Sequence, residues 1–183
     1  DVDTLEQEPE TTKPPKPSVT QPPVGMDETE DTPVIDLTGE ETGSVGDIHA
    51  ALGLHDDISI EYMNCRTEQQ YVDELSQELV IEAKEGKVLF VCDLALVNDG
   101  NQKQSVDMLR NNIQYALRLD DIQLNCMITM LSSDLTTYLG ILDPDQSQKV
   151  VVLTEVEKEK LEQAEEICLY VQSEMGKGII PIK

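Results

Sequence analysis

The chain has 183 residues and a formal net charge of −24, from 37 acidic side chains against 13 lysines and arginines. Nucleic-acid binding requires clustered basic side chains that neutralise phosphates, so this balance argues against a nucleic-acid partner. It argues equally against attraction of this fragment to an anionic membrane surface, and no apolar run approaches the roughly 20 residues of a transmembrane helix. A net negative charge of this size favours solubility, a basic partner or a salt-rich environment.

Residues 1–45 have the composition of a disordered, acidic, Pro-rich arm. Residues 1–57 contain seven of the nine prolines and 15 acidic residues, only two lysines and no aromatic residue. Such a segment cannot bury enough apolar surface to offset the entropy of its chain. Residues 46–57 form a junction, in which 46–54 predict one short helical turn capped by Asp47. Because the sequence starts at Asp1 rather than Met, we interpret the chain as a fragment or a processed product.

One apolar run, with Val34, Ile35 and Leu37, interrupts this arm between acidic residues. A run of this kind can add a strand to the sheet edge of another protein. It resembles the SUMO-interacting motif, in which two β-branched residues, an acid and a leucine precede further acids. That resemblance implies a ubiquitin-like modifier as partner, bound by Val34, Ile35, Asp36, Leu37, Glu40 and Glu41. Strand addition onto another partner or onto this chain's own domain, and an inert linker patch, remain alternatives.

Residues 58–183 predict a compact domain of alternating strands and helices. The strands are expected from residue 58, where Ile58, Ile60 and Tyr62 alternate, and over 87–94, 121–125, 126–131, 149–154 and 179–183. Residues 87–94 are apolar on both faces, as in a central strand. Residues 179–183 contain Pro181, which an edge strand tolerates.

Three helices are expected between these strands. Two of them begin at capping boxes, Thr67 with Gln70 and Thr154 with Glu157. The helices cover 67–86, the stretch in which Val106, Leu109, Ile113 and Leu117 recur at helical spacing, and 154–176. The resulting order, β-α-β-α-β-β and then β-α, predicts an α/β fold with helices packed on a single mixed sheet.

Four cysteines, Cys65, Cys92, Cys126 and Cys168, are separated by at least 27 residues. No two of them form a C-x-x-C pair, which argues against a zinc site. We expect four free thiols in a reducing cytoplasm, with a disulfide as the alternative.

The residues that could carry chemistry are few. His49 and His55 lie at the junction and are interpreted as linker residues, and the Gly-Lys-Gly at 176–178 is interpreted as a helix end rather than a phosphate cradle. Asp93 ends the apolar run LFVCD (residues 89–93) of the predicted strand, a position at which doubly wound enzymes place acids. Its possible neighbours are Asp99, Asp120 and Asp121. No nucleophile, base and oxyanion donor assemble, so we expect no enzyme, no cofactor and no metal site.

The stretch from Glu68 to Asp134 resembles the core of SepF, the cell-division adaptor of bacteria and archaea. The resemblance lies in residues 78–97, ELVIEAKEGKVLFVCDLALV, and in residues 105–131, SVDMLRNNIQYALRLDDIQLNCMITML. It implies a self-associating adaptor, a homodimer, that binds the tail of a tubulin-like division protein. The sequence departs from the family pattern at Leu119-Asp120-Asp121 and in its extra C-terminal β-α unit, so no functional residue is carried across.

Three functional hypotheses follow. The preferred one is a cytoplasmic, non-enzymatic protein-interaction and assembly adaptor, SepF-like in cell division. The second is a SUMO-binding interaction protein, viral or nuclear, that acts through Val34–Glu41. The third is a degenerate α/β enzyme or nucleotide-binding domain that uses Asp93.

The second hypothesis predicts that the double substitution Ile35→Ala with Leu37→Ala abolishes binding to a SUMO protein. The physical reason is that both side chains fill pockets beside the added strand. Nitrogen–proton NMR titration of the full chain with SUMO measures this, and shift changes confined to residues 34–41 are expected. Unchanged spectra for the unsubstituted chain would contradict the hypothesis.

Overall fold

The computed structural model describes residues 48–74 and 79–183. The predicted arm, the SUMO-motif-like residues Val34, Ile35, Asp36, Leu37, Glu40 and Glu41, and the proposed cap Asp47 lie outside the described residues.

Eleven β strands dominate the described part, with two short α helices and one 3-10 turn. The helices are α1 (Ile48–Leu52) and α2 (Lys158–Gln163), and the 3-10 turn is Leu135–Thr137. The strands are β1 (Ile58–Glu68), β2 (Gln70–Val72), β3 (Val80–Glu82), β4 (Lys87–Asn98), β5 (Gln104–Asp107), β6 (Gln114–Leu119), β7 (Ile122–Asn125), β8 (Leu139–Leu142), β9 (Ser147–Glu157), β10 (Ile167–Ser173) and β11 (Gly176–Pro181).

These strands form a β sandwich. One sheet has the order β1-β4-β9 and the other the order β11-β10-β6-β7, and every strand pair in them is antiparallel. Two antiparallel ribbons, β2-β3 and β5-β8, flank the sandwich. The expectation of an α/β fold with helices packed on a single mixed sheet is therefore wrong.

The core lies between the two sheets and is mainly aliphatic. Phe90, Cys92 and Leu94 of β4 contribute to it from one sheet, and Leu117 and Leu169 from the other. A second, smaller cluster covers the opposite face of β4, where the β2-β3 ribbon packs through Tyr71 on Leu89 and Val91. The prediction that residues 87–94 form a central strand, buried on both faces, is confirmed.

A β-bulge at Met63 sets which side chains of β1 face the core. Before it, Tyr62 is opposite Leu94, whereas after it Asn64 is opposite Asp93 and Cys65 is opposite Cys92. The extra residue shifts the phase of the alternation by one. Cys65 therefore joins the face of β4 that looks into the core, and Arg66 joins the outer face.

The helix predicted over 67–86 is wrong. Thr67 lies inside β1, and the following residues form β2 and β3, the ribbon that covers the outer face of β4. Burial in β2 alternates from residue to residue, as in a strand, because Tyr71 is buried while both of its neighbours are exposed.

The second predicted helix is also wrong. Its stretch forms β5, a turn and β6, and Leu109, which the helical pattern placed in the core, is 62% exposed. Tyr115, Leu117 and Leu119 are buried at a period of two, the period of a strand. The predicted turn at Asp120-Asp121 is confirmed, because Leu119 pairs with Ile122 across it.

The third predicted helix survives only as α2. Thr154, its proposed cap, lies within β9 and is buried, and β10 replaces the C-terminal part of the helix. Ile167, Leu169 and Val171 are buried on the core side. The predicted edge strand near Pro181 is confirmed as β11, which is the first strand of its sheet.

Helix α1 belongs to the folded unit. Ala51 and Leu52 are buried in the core, and Ser173 Oγ donates a hydrogen bond to Ala51 O at 2.6 Å. Gly178 of β11 permits the approach, because a Cβ at this position would lie 2.5 Å from Ile48 Cα. The Gly-Lys-Gly stretch thus begins β11, and its Gly178 packs against Ile48 of α1. Its interpretation as a helix end is wrong.

Asn98, fully buried at the end of β4, holds the β5-β8 ribbon on the sandwich. Its side-chain Nδ2 donates to Gln102 O at 2.8 Å and to Leu142 O at 3.0 Å. Its Oδ1 accepts from the Gly100 N–H at 3.0 Å. The Asn98 side-chain amide therefore forms hydrogen bonds both with the loop that leads into β5 and with the end of β8.

Asn98→Ala is expected to lower the free energy of unfolding by about 3 kcal/mol, because the buried Leu142 carbonyl and the partly buried Gln102 carbonyl lose their donor. Urea denaturation followed by circular dichroism measures the change. Asn125→Ala, at an exposed strand end, is the matched control and should stay within about 0.5 kcal/mol of the unsubstituted chain. Equal losses for the two variants would contradict the role of Asn98.

Candidate binding surface

Asp93 lies at the centre of an ion cluster on the outer face of β4. Its side chain is only 4% exposed, and Arg66 contacts one of its carboxylate oxygens. Lys149 Nζ lies 3.7 Å from the other oxygen and also contacts Glu74 at 2.6 Å. The Arg66 guanidinium lies over the Tyr71 ring, 5.8 Å from its centroid. The bulge at Met63 is what directs Arg66 to this face.

The charges in this cluster stabilise one another. Burial alone would lower the pKa of Arg66, but hydrogen bonding to Glu68 and the charge of Asp93 raise it above its usual value. The hydrogen bond to Glu74 raises the pKa of Lys149, and the charge of Asp93 adds to the effect. Both cations are about one-third exposed, so each one contacts the buried Asp93 carboxylate and the solvent at the same time.

The arrangement around Asp93 differs from the one that its sequence position predicted. Asp93 lies inside β4, five residues before the strand ends. Asp99 follows that strand end, while Asp120 and Asp121 form the β6-β7 turn on the other sheet. Asp120 Oδ1 accepts from the N–H groups of Glu165 and Glu166 at 3.0 and 2.8 Å. The expected acidic neighbours are thus distributed over the molecule.

His49 lies in α1, and His55 lies between α1 and β1. His49 Nε2 lies 2.9 Å from His55 O, and the Asp57 N–H donates to His55 Nδ1 at 3.2 Å. They are brought together, and His55 Nδ1 also lies 3.6 Å from Asp57 Oδ2. Within residues 48–74 and 79–183, no group of three or more His, Cys, Asp or Glu side chains converges as a metal site. None of the helices in those two ranges is long and apolar enough to cross a bilayer.

The described surface carries large apolar side chains close to the β5-β8 ribbon. Leu139 and Ile141 of β8 are each 66% exposed and point to the same side of the strand. Leu109 (62%), Ile128 (74%) and Met130 (81%) are exposed on the adjoining segments. Two hydrogen bonds bring these segments together: Thr137 Oγ1 donates to Thr129 O at 3.2 Å, and the Met108 N–H donates to Tyr138 O at 2.9 Å. We call these five side chains the apolar patch.

A buried carboxylate fixes part of the apolar patch. Asp134 accepts hydrogen bonds from the N–H and Oγ1 of Thr129 at 2.6 and 2.5 Å, and from the N–H and Oγ1 of Thr136 at 2.8 and 2.7 Å. Burial raises the pKa of Asp134, and these donors oppose the shift. Because Thr129 is drawn inward, its neighbours Ile128 and Met130 point outward. The strand predicted over 126–131 is wrong, since this stretch is an irregular segment held by Asp134.

The backbone of β8 presents a free edge beside these side chains. In an antiparallel pair, hydrogen-bonded and non-hydrogen-bonded residue pairs alternate. Met108 and Tyr138 form a hydrogen-bonded pair at the end of the β5-β8 ribbon, so Val106 and Gly140 form the next one. Leu139 and Ile141 therefore direct their N–H and C=O groups away from β5. In the part of the chain that is described, no backbone hydrogen bond uses these outward groups.

Sequence reasoning missed this surface. Leu109 was assigned to the core of a helix, and β8 received no assignment. The available signal was the alternation of Leu139 and Ile141 with Gly140, between Tyr138 and the Asp143-Pro144-Asp145 turn. Gly140 itself is needed for the inward side, because a Cβ there would lie 2.5 Å from the Tyr138 hydroxyl.

Comparisons with known proteins show no family for this chain. No family model matches the chain, and no curated protein matches it. It is similar to a crystal structure of an uncharacterized β-sandwich protein from Clostridium difficile 630, with 16% identity and a TM-score of 0.47 over 71% of this chain and 88% of that one. It is also similar to a conserved hypothetical protein from Bacillus anthracis, with 12% identity and a TM-score of 0.45 over 70% of this chain and 89% of that one.

Asp93→Asn is expected to destabilise the fold by about 2 kcal/mol. Removing one partner of a fully buried ion pair costs about 3–5 kcal/mol, but here both cations can turn towards water. Urea denaturation measures the loss, and Asp99→Asn, at an exposed position, is the control. An unchanged or higher stability of Asp93→Asn would show that the cluster does not hold the outer face together.

Proposed function

We propose that this chain is a protein-interaction adaptor that acts by binding rather than by catalysis, and that it self-associates through the free edge of β8. The observation that carries the proposal is the coincidence of an open strand edge with exposed Leu139 and Ile141 on that strand. Open edges are templates for strand addition, which most folds protect with charges or cover. The occupant we propose is β8 of a second copy.

Strand β8 is complementary to itself. In an antiparallel pair of β8 strands centred on Gly140, Leu139 of each copy lies opposite Ile141 of the other. The outward N–H and C=O groups of these two residues then form hydrogen bonds with each other. Both contacts repeat across a twofold axis, as an isologous interface requires. The pair continues each β5-β8 ribbon into four strands, and Leu139 and Ile141 of both copies form one apolar stripe.

The apolar patch has the area that such an interface needs. Its five side chains present roughly 500 Å² of apolar surface, at about 100 Å² each. A standard interface buries about 800 Å² per partner, of which somewhat more than half is apolar. The patch is also near the upper end of what monomers expose, about 300–600 Å².

Charge does not oppose the pairing locally, although it does globally. The paired residues from Tyr138 to Leu142 include no charged side chain, and Lys103 with Asp143, 2.6 Å apart, neutralise each other beside the strand end. Two copies of a chain with a net charge of −24 nevertheless repel each other. The proposed dimer is therefore one that salt strengthens.

Self-association is one half of an adaptor's task, and the acidic arm is proposed to supply the other. Two arms on a dimer bind a multivalent partner more tightly than one arm, because the second contact becomes intramolecular. A cytoplasmic location is part of this proposal. The SepF-like assignment remains a hypothesis from sequence pattern, and two of the helices through which it was drawn are strands in the structure.

The full chain is expected to sediment as a concentration-dependent dimer. The double variant Leu139→Thr with Ile141→Thr has β-branched strand formers at both positions but loses apolar burial, so its dimer should dissociate at least about tenfold more readily. Ile122→Thr, on the exposed start of β7, is the matched control and should leave the dimer unchanged. Sedimentation velocity over a range of concentrations measures all three.

Two further conditions separate backbone pairing from simple apolar contact. Ile141→Pro removes an edge N–H that points away from β5, which the monomer tolerates and the dimer does not. Raising the salt from about 0.1 M to about 1 M shortens the Debye length from about 10 Å to about 3 Å, and should tighten the dimer. A chain that stays monomeric in all these conditions, or variants that dimerise like the parent, would overturn the proposal.

A further inference from the structure

Two of the four free cysteines face each other across neighbouring strands. Cys65 of β1 is the direct partner of Cys92 of β4 in the antiparallel register. Opposite residues in such a pair have Cα atoms about 4.5–5.5 Å apart, and a disulfide requires about 4.4–6.8 Å. Residues directly opposite each other also share a face of the sheet. Cys65 and Cys92 therefore meet the Cα–Cα distance requirement of a disulfide without movement of the strands.

The bulge at Met63 creates this juxtaposition. In the register that β1 follows up to Tyr62, Asn64 would be opposite Cys92 and Cys65 would lie on the outer face. The inserted residue brings Cys65 onto the core side instead. Cys92 belongs to the central core cluster, and Cys65 packs against the edge of that cluster.

The two thiols differ in access. Cys92 is 1% exposed, whereas Cys65 is only partly buried and lies on the outer strand of its sheet. Burial raises the pKa of Cys92 to about 12, with smaller contributions from Cys126 and Cys65. A reagent in solution therefore meets Cys65 first, and Cys92 reacts only with a group already attached at Cys65.

We propose that Cys65 and Cys92 are a site of thiol–disulfide exchange, which a small disulfide of the glutathione type oxidises to a cross-strand disulfide. The Cys65 thiolate attacks one sulfur of the small disulfide, whose S–S bond breaks and releases one thiol. The Cys92 thiol then gives its proton to the solvent and attacks the Cys65 sulfur, which releases the second thiol. Two cysteine thiols are oxidised, and one small disulfide is reduced to two thiols.

The consequence of this exchange is a clamp between two strands. β1 is an edge strand and β4 is the centre of the sheet, so the bond fixes the edge to the centre at the bulge. It also restricts the unfolded chain, which stabilises the folded state. The remaining two cysteines are placed differently: Cys126 lies beside Thr154, whose hydroxyl donates to its sulfur at 3.3 Å, and Cys168 pairs with Arg118 and Pro181.

The test is to incubate the folded full chain with oxidised glutathione, stop the reaction with acid, and measure intact mass and peptide maps. The unsubstituted chain is expected to lose two hydrogen atoms, with one crosslink between Cys65 and Cys92, and its Tm is expected to rise. Cys168→Ser, a buried cysteine on the other sheet, is the matched control and should behave in the same way.

Two variants separate the steps. Cys92→Ala should retain one glutathione on Cys65, because no second thiol resolves the mixed disulfide. Cys65→Ser should remain unmodified over the same time, and circular dichroism confirms that each variant is folded. Three results would overturn the proposal: a glutathione adduct that persists on Cys65 of the unsubstituted chain, a crosslink that involves Cys126, or oxidation only in urea.

Discussion

The burial of β4 on both of its faces is the constraint on which the rest of the structure depends. A strand with apolar side chains on both sides requires a cover on each side. The β6-β10 sheet covers one, and the β2-β3 ribbon with the segment after β7 covers the other. The chain passes from one sheet to the other after β7, where the Met127 N–H donates to Leu153 O of β9 at 2.7 Å. Asp93 is a buried carboxylate on this strand, and Arg66 and Lys149 compensate its charge.

Several strands were predicted correctly from their apolar pattern. The run of residues 87–94, the start of β1 and the valines of β9 were predicted because their apolar residues are continuous or alternate. The helices failed because apolar residues at spacings of three and four also occur when two strands meet at a turn: Leu109 and Leu117 belong to different elements. The bulge at Met63 left no signal in one sequence, so neither the ion pair of Arg66 nor the facing of Cys65 and Cys92 was predictable.

The same geometry explains why a binding surface is expected on β8 rather than at Asp93. The carboxylate of Asp93 is buried and paired with Arg66 and Lys149, so its charge is used to stabilise the outer face of β4. Strand β8 is short and is attached through β5 and the amide of Asn98, and nothing described covers its outward side. Asp134 fixes the adjoining segment so that apolar side chains are presented at a defined position. A rigid, apolar strand edge is suited to recognition by another strand.

Residue-level hydrogen exchange at two protein concentrations tests the central claim most directly. The ladder phase protects the N–H groups of Gly140 and Leu142 within each monomer and leaves those of Leu139 and Ile141 to the second copy. The account predicts slow exchange at Gly140 and Leu142 at every concentration, and protection of Leu139 and Ile141 only where the dimer is populated. Exchange at Leu139 and Ile141 that stays fast at all concentrations would contradict it.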